Sequence, residues 1–428
     1  MKVYKFGGAS VKDARGIKNL TGIVSREKDQ LVIVISAFGK TTNALERVLK
    51  AWLHGDKGYL GHLDDIGSYH SSVIAELFPP GNSARVRTDE SFAELRHYLH
   101  SNRKNSYDHD YDQVVSYGEL WSTMIVSEFL IASGLDAEWI DIRKCLLTDG
   151  RHRDANILWN ESTDKIKKQF DFTRSHIYVT QGFIGSTVEG QTTTLGREGS
   201  DFTAAILANI LDARSVTVWK DVPGLLNADP KWLPDAQVME EISYKEAVEI
   251  TFSGAKVIHP KTIKPLHNKN IPLHVKSFVN PGEEGTIVKA DATLKKVMPV
   301  FIRKENQILI SLVPKDFSFV MGDNLSRIFS IFTDKGIRVN LVEASAVAID
   351  VCVDDERSKI EELLAELEAE YSAFYNEKVE MLTIRHYTPE AINRITSGRE
   401  ILLEQRMRSS VRFVVRTAQG LNGSAAQR

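Results

Sequence analysis

Short apolar runs that break into a glycine- and hydroxyl-rich loop and then into helix-like periodicity recur along this chain, and this repeat restricts its fold more than any other feature. Residues 3–6 enter Gly7-Gly8-Ala9-Ser10; residues 31–35 enter Ser36-Ala37-Phe38-Gly39-Lys40-Thr41-Thr42-Asn43 and then a helical stretch over 44–53. Residues 177–179 lead into Gln181-Gly182-Phe183-Ile184-Gly185, the loop 194–201 precedes an apolar helix over 202–211, and residues 216–219 enter Lys220-Asp221-Val222-Pro223-Gly224. A strand covered on both faces reads as an unbroken apolar run, and a helix following each loop carries the chain back for the next parallel strand. The pattern therefore predicts an α/β fold around a mainly parallel central sheet.

At 428 residues the chain exceeds one ordinary core. Its character changes after Pro281-Gly282-Glu283-Glu284-Gly285 and the charged stretch 291–296, which sets an expected boundary between a catalytic domain at 1–294 and a regulatory region at 295–428. Beyond it the pattern reads as strand 308–313, helix 325–335, strands 339–344 and 347–353, helix 358–371 and strand 379–386, the βαββαβ order of a ferredoxin-like α+β module. Residues 300–303, a helical turn at 389–395 and strands at 401–406 and 411–416 suggest part of a second module, without a closing helix and strand. Residues 55–115 read as polar helices with irregular connections, and 418–428 as a disordered tail.

Charge removes several function classes. With 54 basic and 57 acidic side chains the formal charge is -3, so nothing global draws the chain to nucleic acid or to an anionic membrane. Cys145 and Cys352 are far apart and belong to no Cys/His cluster, and no apolar run reaches membrane-spanning length. These features, with no signal-peptide core at the N-terminus, lead to a cytoplasmic expectation. Three textual matches fail on spacing or context. Gly39-Lys40-Thr41 has the ending of a phosphate-binding loop, but the glycine required five positions earlier is Val34. His152-Arg153-Asp154 matches the start of a protein-kinase catalytic loop, but Trp159 stands where its asparagine belongs. Asn160-Glu161-Ser162 is a glycosylation sequon in a chain without a secretion signal.

Five blocks in order carry more weight: Lys5-Phe6-Gly7-Gly8-Ala9-Ser10, Ser116-Tyr117-Gly118-Glu119, residues 194–201, Lys220-Asp221-Val222-Pro223-Gly224, and Gly254-Ala255-Lys256-Val257-Ile258-His259-Pro260. Together they resemble the aspartate kinase branch of the amino acid kinase family, from residue 1 into the C-terminal region. The resemblance implies transfer of a phosphoryl group from ATP to the side-chain carboxylate of L-aspartate, the first step towards lysine, threonine and methionine. It implies Lys5 and Asp201 as catalytic groups. Ser36, Thr42, Glu119, Phe183, Arg197 and Ser200 would bind the amino acid, with Arg197 on the α-carboxylate and Glu119 on the ammonium. Lys5, Gly7, Gly8, Ser10, Lys220, Asp221 and Lys256 would bind ATP. Magnesium is implied by the nucleotide, held mainly by it and by water, and no protein metal ligand is expected.

The residue chemistry agrees. A carboxylate nucleophile, with a pKa of about 3.9, is already ionised at neutral pH, so the obstacle is repulsion between two anions rather than a missing base. Glycines let backbone amides approach phosphate, and a lysine neutralises developing charge. Taken singly, Glu119 reads as a solvated helix charge before it reads as a ligand, and Arg197 with Asp201 reads also as a helix-entry loop. Two departures stand out: Ala9 occupies a usual threonine position, and Glu198 sits where many relatives have glycine, placing an acid beside Arg197.

The C-terminal pattern resembles an ACT domain, which implies an amino-acid effector near Met321, Asn324, Leu325, Val339 and Asn340, lysine before threonine, and a homodimer or higher homo-oligomer through this region. The sequence carries no dehydrogenase-sized stretch after this region, so a fused homoserine dehydrogenase is not expected. The alternatives are another member of the same family, such as an acetylglutamate, glutamate or uridylate kinase, or a catalytically silent amino-acid sensor.

Overall fold

The computed structural model describes every residue except 102–103, 256–257, 293–297, 317, 321 and 418–428. The expected boundary at 294/295, the tail, Lys256 and Met321 lie outside the described residues. The chain forms two compact units, one of Met1–Leu225, Val238–Val248 and Val257–Leu294, the other of Leu226–Gln237, Glu249–Lys256 and Lys295–Arg428. Two stretches from before residue 294 thus cluster with the C-terminal unit, which nothing in the local sequence announces.

Along the chain to residue 289 the elements are β1 (Lys2–Phe6), α1 (Ala14–Val24), β2 (Leu31–Ile35), α2 (Thr41–Leu53), α3 (Tyr59–Leu77), α4 (Ser83–His100), α5 (Tyr107–Val115), α6 (Tyr117–Ala132), β3 (Ala137–Ile140), α7 (Trp159–Gln169), β4 (Ile177–Gln181), β5 (Ile184–Ser186), β6 (Thr192–Thr194), α8 (Gly199–Ile210), β7 (Val216–Lys220), β8 (Glu241–Ser243), α9 (Tyr244–Phe252), α10 (Pro260–Asn268), β9 (Leu273–Ser277) and β10 (Thr286–Lys289). Eight of the strands form a sheet in the order β3-β4-β2-β1-β7-β9-β10-β8. The strands from β3 to β9 in that order are parallel, and β10 is antiparallel to β9.

The apolar runs explain this sheet. Every residue of Leu31–Ile35 is buried, as a strand covered on both faces requires. Ile17, Leu20 and Val24 of α1 recur at helical spacing and join Phe6, Ile33 and Ile35 in one core cluster. Each such fully buried side chain contributes about 1.5–3 kcal/mol. Strand order reverses direction at β1, which lies between β2 and β7. Open α/β sheets carry their ligand crevice at such a point, beyond the carboxyl ends of the strands.

The second unit holds a six-stranded antiparallel sheet of β11 (Val300–Pro314), β12 (Val339–Ala344), β13 (Ile349–Asp354), β14 (Tyr371–Arg385), β15 (Arg399–Arg406) and β16 (Ser410–Thr417), in the order β12-β13-β11-β14-β16-β15. Its helices are α11 (Asp323–Asp334), α12 (Arg357–Leu367) and α13 (Pro389–Thr396). The first half, β11 through β14, has the expected βαββαβ succession, and α11 and α12 pack on it through Ile328, Phe332, Leu363 and Leu367. Two expectations change. The helix expected over 358–371 stops at Leu367, and the strand expected from 379 begins at Tyr371.

Residues 300–303, expected as a strand of a separate module, are the beginning of β11. The register of β11 shifts between Lys304 and Leu309, and on either side of that irregularity it pairs with β14. The second half of the sheet therefore takes a strand from β11, and its helix-side core joins Phe301, Ile384, Ile395 and Phe413 to Ala228, Trp232 and Leu233 of the Leu226–Gln237 stretch. Gln405 on β15 donates to the Val342 carbonyl on β12 at 2.9 Å. These are the two edges of the sheet, so it curls until they meet.

Candidate active site

At the carboxyl ends of β1, β2, β4 and β7 lies a cavity of about 680 Å³, lined by Lys5, Ser36, Thr42, Glu119, Phe183, Arg197, Ser200, Asp201 and Lys220 among others. Each of these was expected from sequence, although they span more than two hundred positions. The parallel topology brings them together. Lys5 is on β1 and Lys220 ends β7; Ser36 follows β2; Thr42, Glu119 and Asp201 stand in the first turns of α2, α6 and α8.

Two glycines allow the close approach. A Cβ on Gly8 would come within 2.5 Å of the Ala37 carbonyl, and Gly39 N–H donates to the Gly8 carbonyl at 3.0 Å. A Cβ on Gly182 would lie 2.4 Å from Ser200 Cβ, so the turn after β4 can rest on the start of α8 only without a side chain. Gly7 and Ser10 belong to the turn after β1, where Ser10 N–H donates to the Gly7 carbonyl at 3.0 Å. Gly7, Gly8 and Ser10 adjoin the cavity rather than line it, and Asp221 is exposed one residue beyond Lys220.

Charge is distributed unevenly in the cavity. Lys5 Nζ is 2.7 Å from Asp201 Oδ1, and Lys220 Nζ is 3.9 Å from Asp201 Oδ2. Burial opposes ionisation of Asp201, but Lys5 and then Lys220 hold it below the usual carboxylate range. Glu119 is only 3% exposed; Ala37 N–H reaches its Oε1 at 3.4 Å, and its Oε2 has no partner. Burial pushes this carboxyl up to about 8, with the Ala37 amide and Lys5 only partly opposing it.

Glu198 resolves its orientation here: it lines the cavity, and its Oε2 is buried without a partner. Its φ of 54° and ψ of 28° place it in the left-handed region at the cap of α8. Phe183 (φ 71°) and Arg153 (φ 67°) share that conformation and the same cavity. Side chains other than glycine cost of order 1–3 kcal/mol there, and such costs gather at functional sites.

Sequence reasoning missed Asn43, Glu46, Tyr111, Arg153 and Thr194, which also line the cavity. Tyr111 Oη donates to Glu46 Oε1 at 2.9 Å. Asp112, wholly buried on α5, accepts from Thr194 Oγ1 at 2.6 Å and from Arg153 N–H at 3.0 Å, and its Oδ2 lies 2.8 Å from His152 Nδ1. No spacing signal marks these positions, because the contacts join α5 to α2, β6 and the 152–153 loop, forty or more residues away.

The expected effector residues lie in the second unit. Asn324 Nδ2 donates to Ser318 Oγ and to the Phe319 carbonyl, both at 2.9 Å. Leu325 packs beside the α11–α12 core, and Val339 opens β12. Asn340 donates to Gln307 Oε1 at 2.7 Å and to Asp354 Oδ1 at 3.0 Å.

Residues 1–277 match the sequence model of the amino acid kinase family. Lysine-sensitive aspartokinase 3 of Escherichia coli is 31% identical over 356 residues, covering 82% of this chain and 78% of the relative. The chain belongs to the aspartokinase branch of the amino acid kinase family. As an aspartokinase-family chain it superposes on the solved E. coli aspartokinase III with aspartate and ADP at a TM-score of 0.82, with 28% identity, covering 98% of this chain and 97% of that one. The lysine- and aspartate-bound state of E. coli aspartokinase III gives 0.80 at 27% identity, covering 98% and 96%. Bifunctional aspartokinase/homoserine dehydrogenase 2 of Arabidopsis thaliana is 32% identical over 367 residues, covering 82% of this chain. The chain spans about two fifths (39%) of that relative's length.

Proposed function

We propose that this chain is an ATP-dependent aspartate kinase, converting ATP and L-aspartate to ADP and 4-phospho-L-aspartate. One observation carries the reading: a single cavity combines a lysine pair around Asp201 with a buried carboxylate, Glu119, that has an unpartnered oxygen. The first is chemistry for a transferring phosphoryl group, the second for an ammonium.

In this mechanism the aspartate carboxylate attacks as it stands, and the protein lowers the barrier by holding two anions together. Lys5, fixed by Asp201, takes up charge on the phosphoryl oxygens. Lys220, more distant from Asp201, serves the nucleotide end with Gly7, Gly8, Ser10 and Asp221, to which the sequence expectation adds Lys256. The substrate ammonium meets Glu119 and expels its proton, while Arg197 receives the α-carboxylate. Magnesium enters as part of the Mg-ATP substrate, where it neutralises phosphate charge. Among the described residues no group of three His, Cys, Asp or Glu side chains stands together to hold an ion, and Asp201 is already engaged by Lys5 and Lys220.

For the C-terminal unit we propose ACT-type sensing of a pathway end product, lysine before threonine, and assembly of two or more copies through it. The ferredoxin-like strand order supports this, as does the lysine bound to the E. coli structure of similar fold. A cytoplasmic location accords with two buried free cysteines. Among the described residues no helix is long and apolar enough to cross a membrane.

The test is ADP release with Mg-ATP across aspartate, glutamate, N-acetylglutamate and UMP, with hydroxylamine trapping of an acyl phosphate. Release and hydroxamate formation with aspartate are expected. Turnover on UMP alone would overturn the reading, and no turnover on any acceptor would favour a silent sensor.

A further inference from the structure

We infer that Arg153 is a second carboxylate-binding cation of the acceptor site, holding the α-carboxylate of the amino-acid substrate together with Arg197. The inference rests on the aspartate kinase reading and deepens it.

The cavity holds such a cation beside Arg197. Lys5 and Lys220 are committed to Asp201 and to phosphate. Arg197 is exposed, and among the described residues its guanidinium has no hydrogen bond or ion pair. Its immediate neighbour Glu198 turns a buried, unpartnered carboxylate oxygen towards the same cavity. An exposed arginine beside an acid gains from a second cation, because ordering its side chain and the neighbouring charge both oppose binding.

Arg153 is the reverse case. Its backbone amide is fixed by the buried Asp112 carboxylate, and its φ of 67° aims the side chain to the cavity wall. The guanidinium carbon lies 4.7 Å from the Tyr111 ring centroid and 5.4 Å from that of Tyr107, and Nη1 donates to Asp108 at 3.0 Å. The Asp108 and Arg153 side chains are both about half exposed (55% and 48%), so this pair is a weak surface bridge that orients the fork without consuming it. A guanidinium has five N–H donors, which leaves others for a carboxylate.

Position supplies the second argument. Arg153, Tyr111 and Glu119 line the same cavity, and the Tyr111 phenol, raised by burial, Glu46 and Glu119, is opposed by Arg153. An amino acid carries its ammonium and α-carboxylate on one carbon. With the ammonium at Glu119, the cation for the carboxylate must be a near neighbour of Glu119. Arg153 lines the same cavity as Glu119, and it keeps a left-handed backbone that glycine would adopt without cost.

The decisive variant is Arg153→Gly, which removes the cation and relieves the backbone, so loss of folding cannot imitate the expected result. Kinetics for aspartate and for its α-carboxamide, in which the α-carboxylate is neutral, are compared with the unaltered protein. We expect KM for aspartate to rise about tenfold or more, with kcat and KM for ATP within about threefold, and the penalty to vanish for the α-carboxamide. Arg153→Lys should recover part of the loss, since charge returns without the fork. An unchanged KM for aspartate overturns the assignment, as does an equal penalty on both acceptors or a loss confined to kcat. Absence of aspartate turnover in the unaltered protein sinks the aspartate reading and this assignment with it, whereas turnover with an unaffected Arg153→Gly variant sinks only the assignment.

Discussion

Asp201 in the cavity and Asp354 in the curled sheet are both carboxylates flanked by a lysine, yet their surroundings differ. Lys304 Nζ donates to Asp354 at 2.7 Å and to Asn340 at 2.8 Å, Gln307 donates to Asp354 at 2.8 Å, and Asn340 closes the ring through Gln307. This network sits at the register shift of β11, where a strand loses regular pairing and side chains can fill the gap. Around Asp201 the lysines are paired, but nearby Glu119 and Glu198 each retain a buried oxygen without a partner. A closed network stabilises a fold, whereas a buried oxygen without a protein partner is a cost that water or a ligand removes.

Lys5→Ala should separate the two regions most sharply. Turnover is expected to fall by at least about 100-fold, because the charge acts where phosphoryl negative charge develops. Asp201 would also be left buried with only the more distant Lys220, so the melting temperature should drop. A variant that retained near-normal kcat would break the contrast at its strongest point.

Next comes pH. In the free protein Glu119 titrates near 8, so at pH 7 it is mostly protonated, and binding an ammonium there must release a proton. Apparent affinity for aspartate should rise with pH up to about 8 and then level, with a change approaching tenfold per unit on the acid side. Glu119→Gln should flatten that profile. The linkage to stability has the opposite sign. Because an unfolded glutamate ionises near 4.5, the ligand-free protein loses this contribution as pH climbs from that value through about 8. Denaturation midpoints with and without aspartate would expose either error.

A smaller effect is expected in the closed network. Gln307 is 1% exposed, and Gln307→Ala leaves Asn340 short of an acceptor, at a cost of about 1–3 kcal/mol. Urea unfolding should register it while ADP release without effector stays unchanged; an equal loss of turnover would contradict the division between the regions. Smallest is Glu198→Gly. Relief of the left-handed backbone should add about 1 kcal/mol, and removal of the acid should lower KM for aspartate a few-fold. A raised KM would instead give Glu198 a part in binding.

Lys5, Ser36, Thr42, Glu119, Phe183, Ser200 and Asp201 were legible from sequence through the family resemblance of the blocks around them, and the parallel topology, which sets them at strand ends and helix starts, brings them to one cavity. Arg153 and Tyr111 were not, since their placement depends on how α5 packs against β6 and the loop at 149–156, which leaves no periodic trace. His152-Arg153-Asp154 failed as a motif and still supplies a cavity residue, for reasons of backbone conformation. In the second unit Arg303, Lys304, Glu305 and Asn306 interrupt the apolar pattern and read as a break between elements, although β11 continues through them. Helix-forming Glu368, Ala369 and Glu370 likewise extend a helical reading past its true end at Leu367.

The long strands β11 and β14 each serve both halves of the curled sheet. The halves are therefore not exchangeable parts. A gene fusion joined between residues 304 and 307, or any truncation within β14, would remove an edge from one half and the middle from the other. Hydrogen exchange across β11, β13, β14 and β16 should accordingly report one shared opening event rather than two. Such shared strands favour inheritance of the whole sheet as a single block.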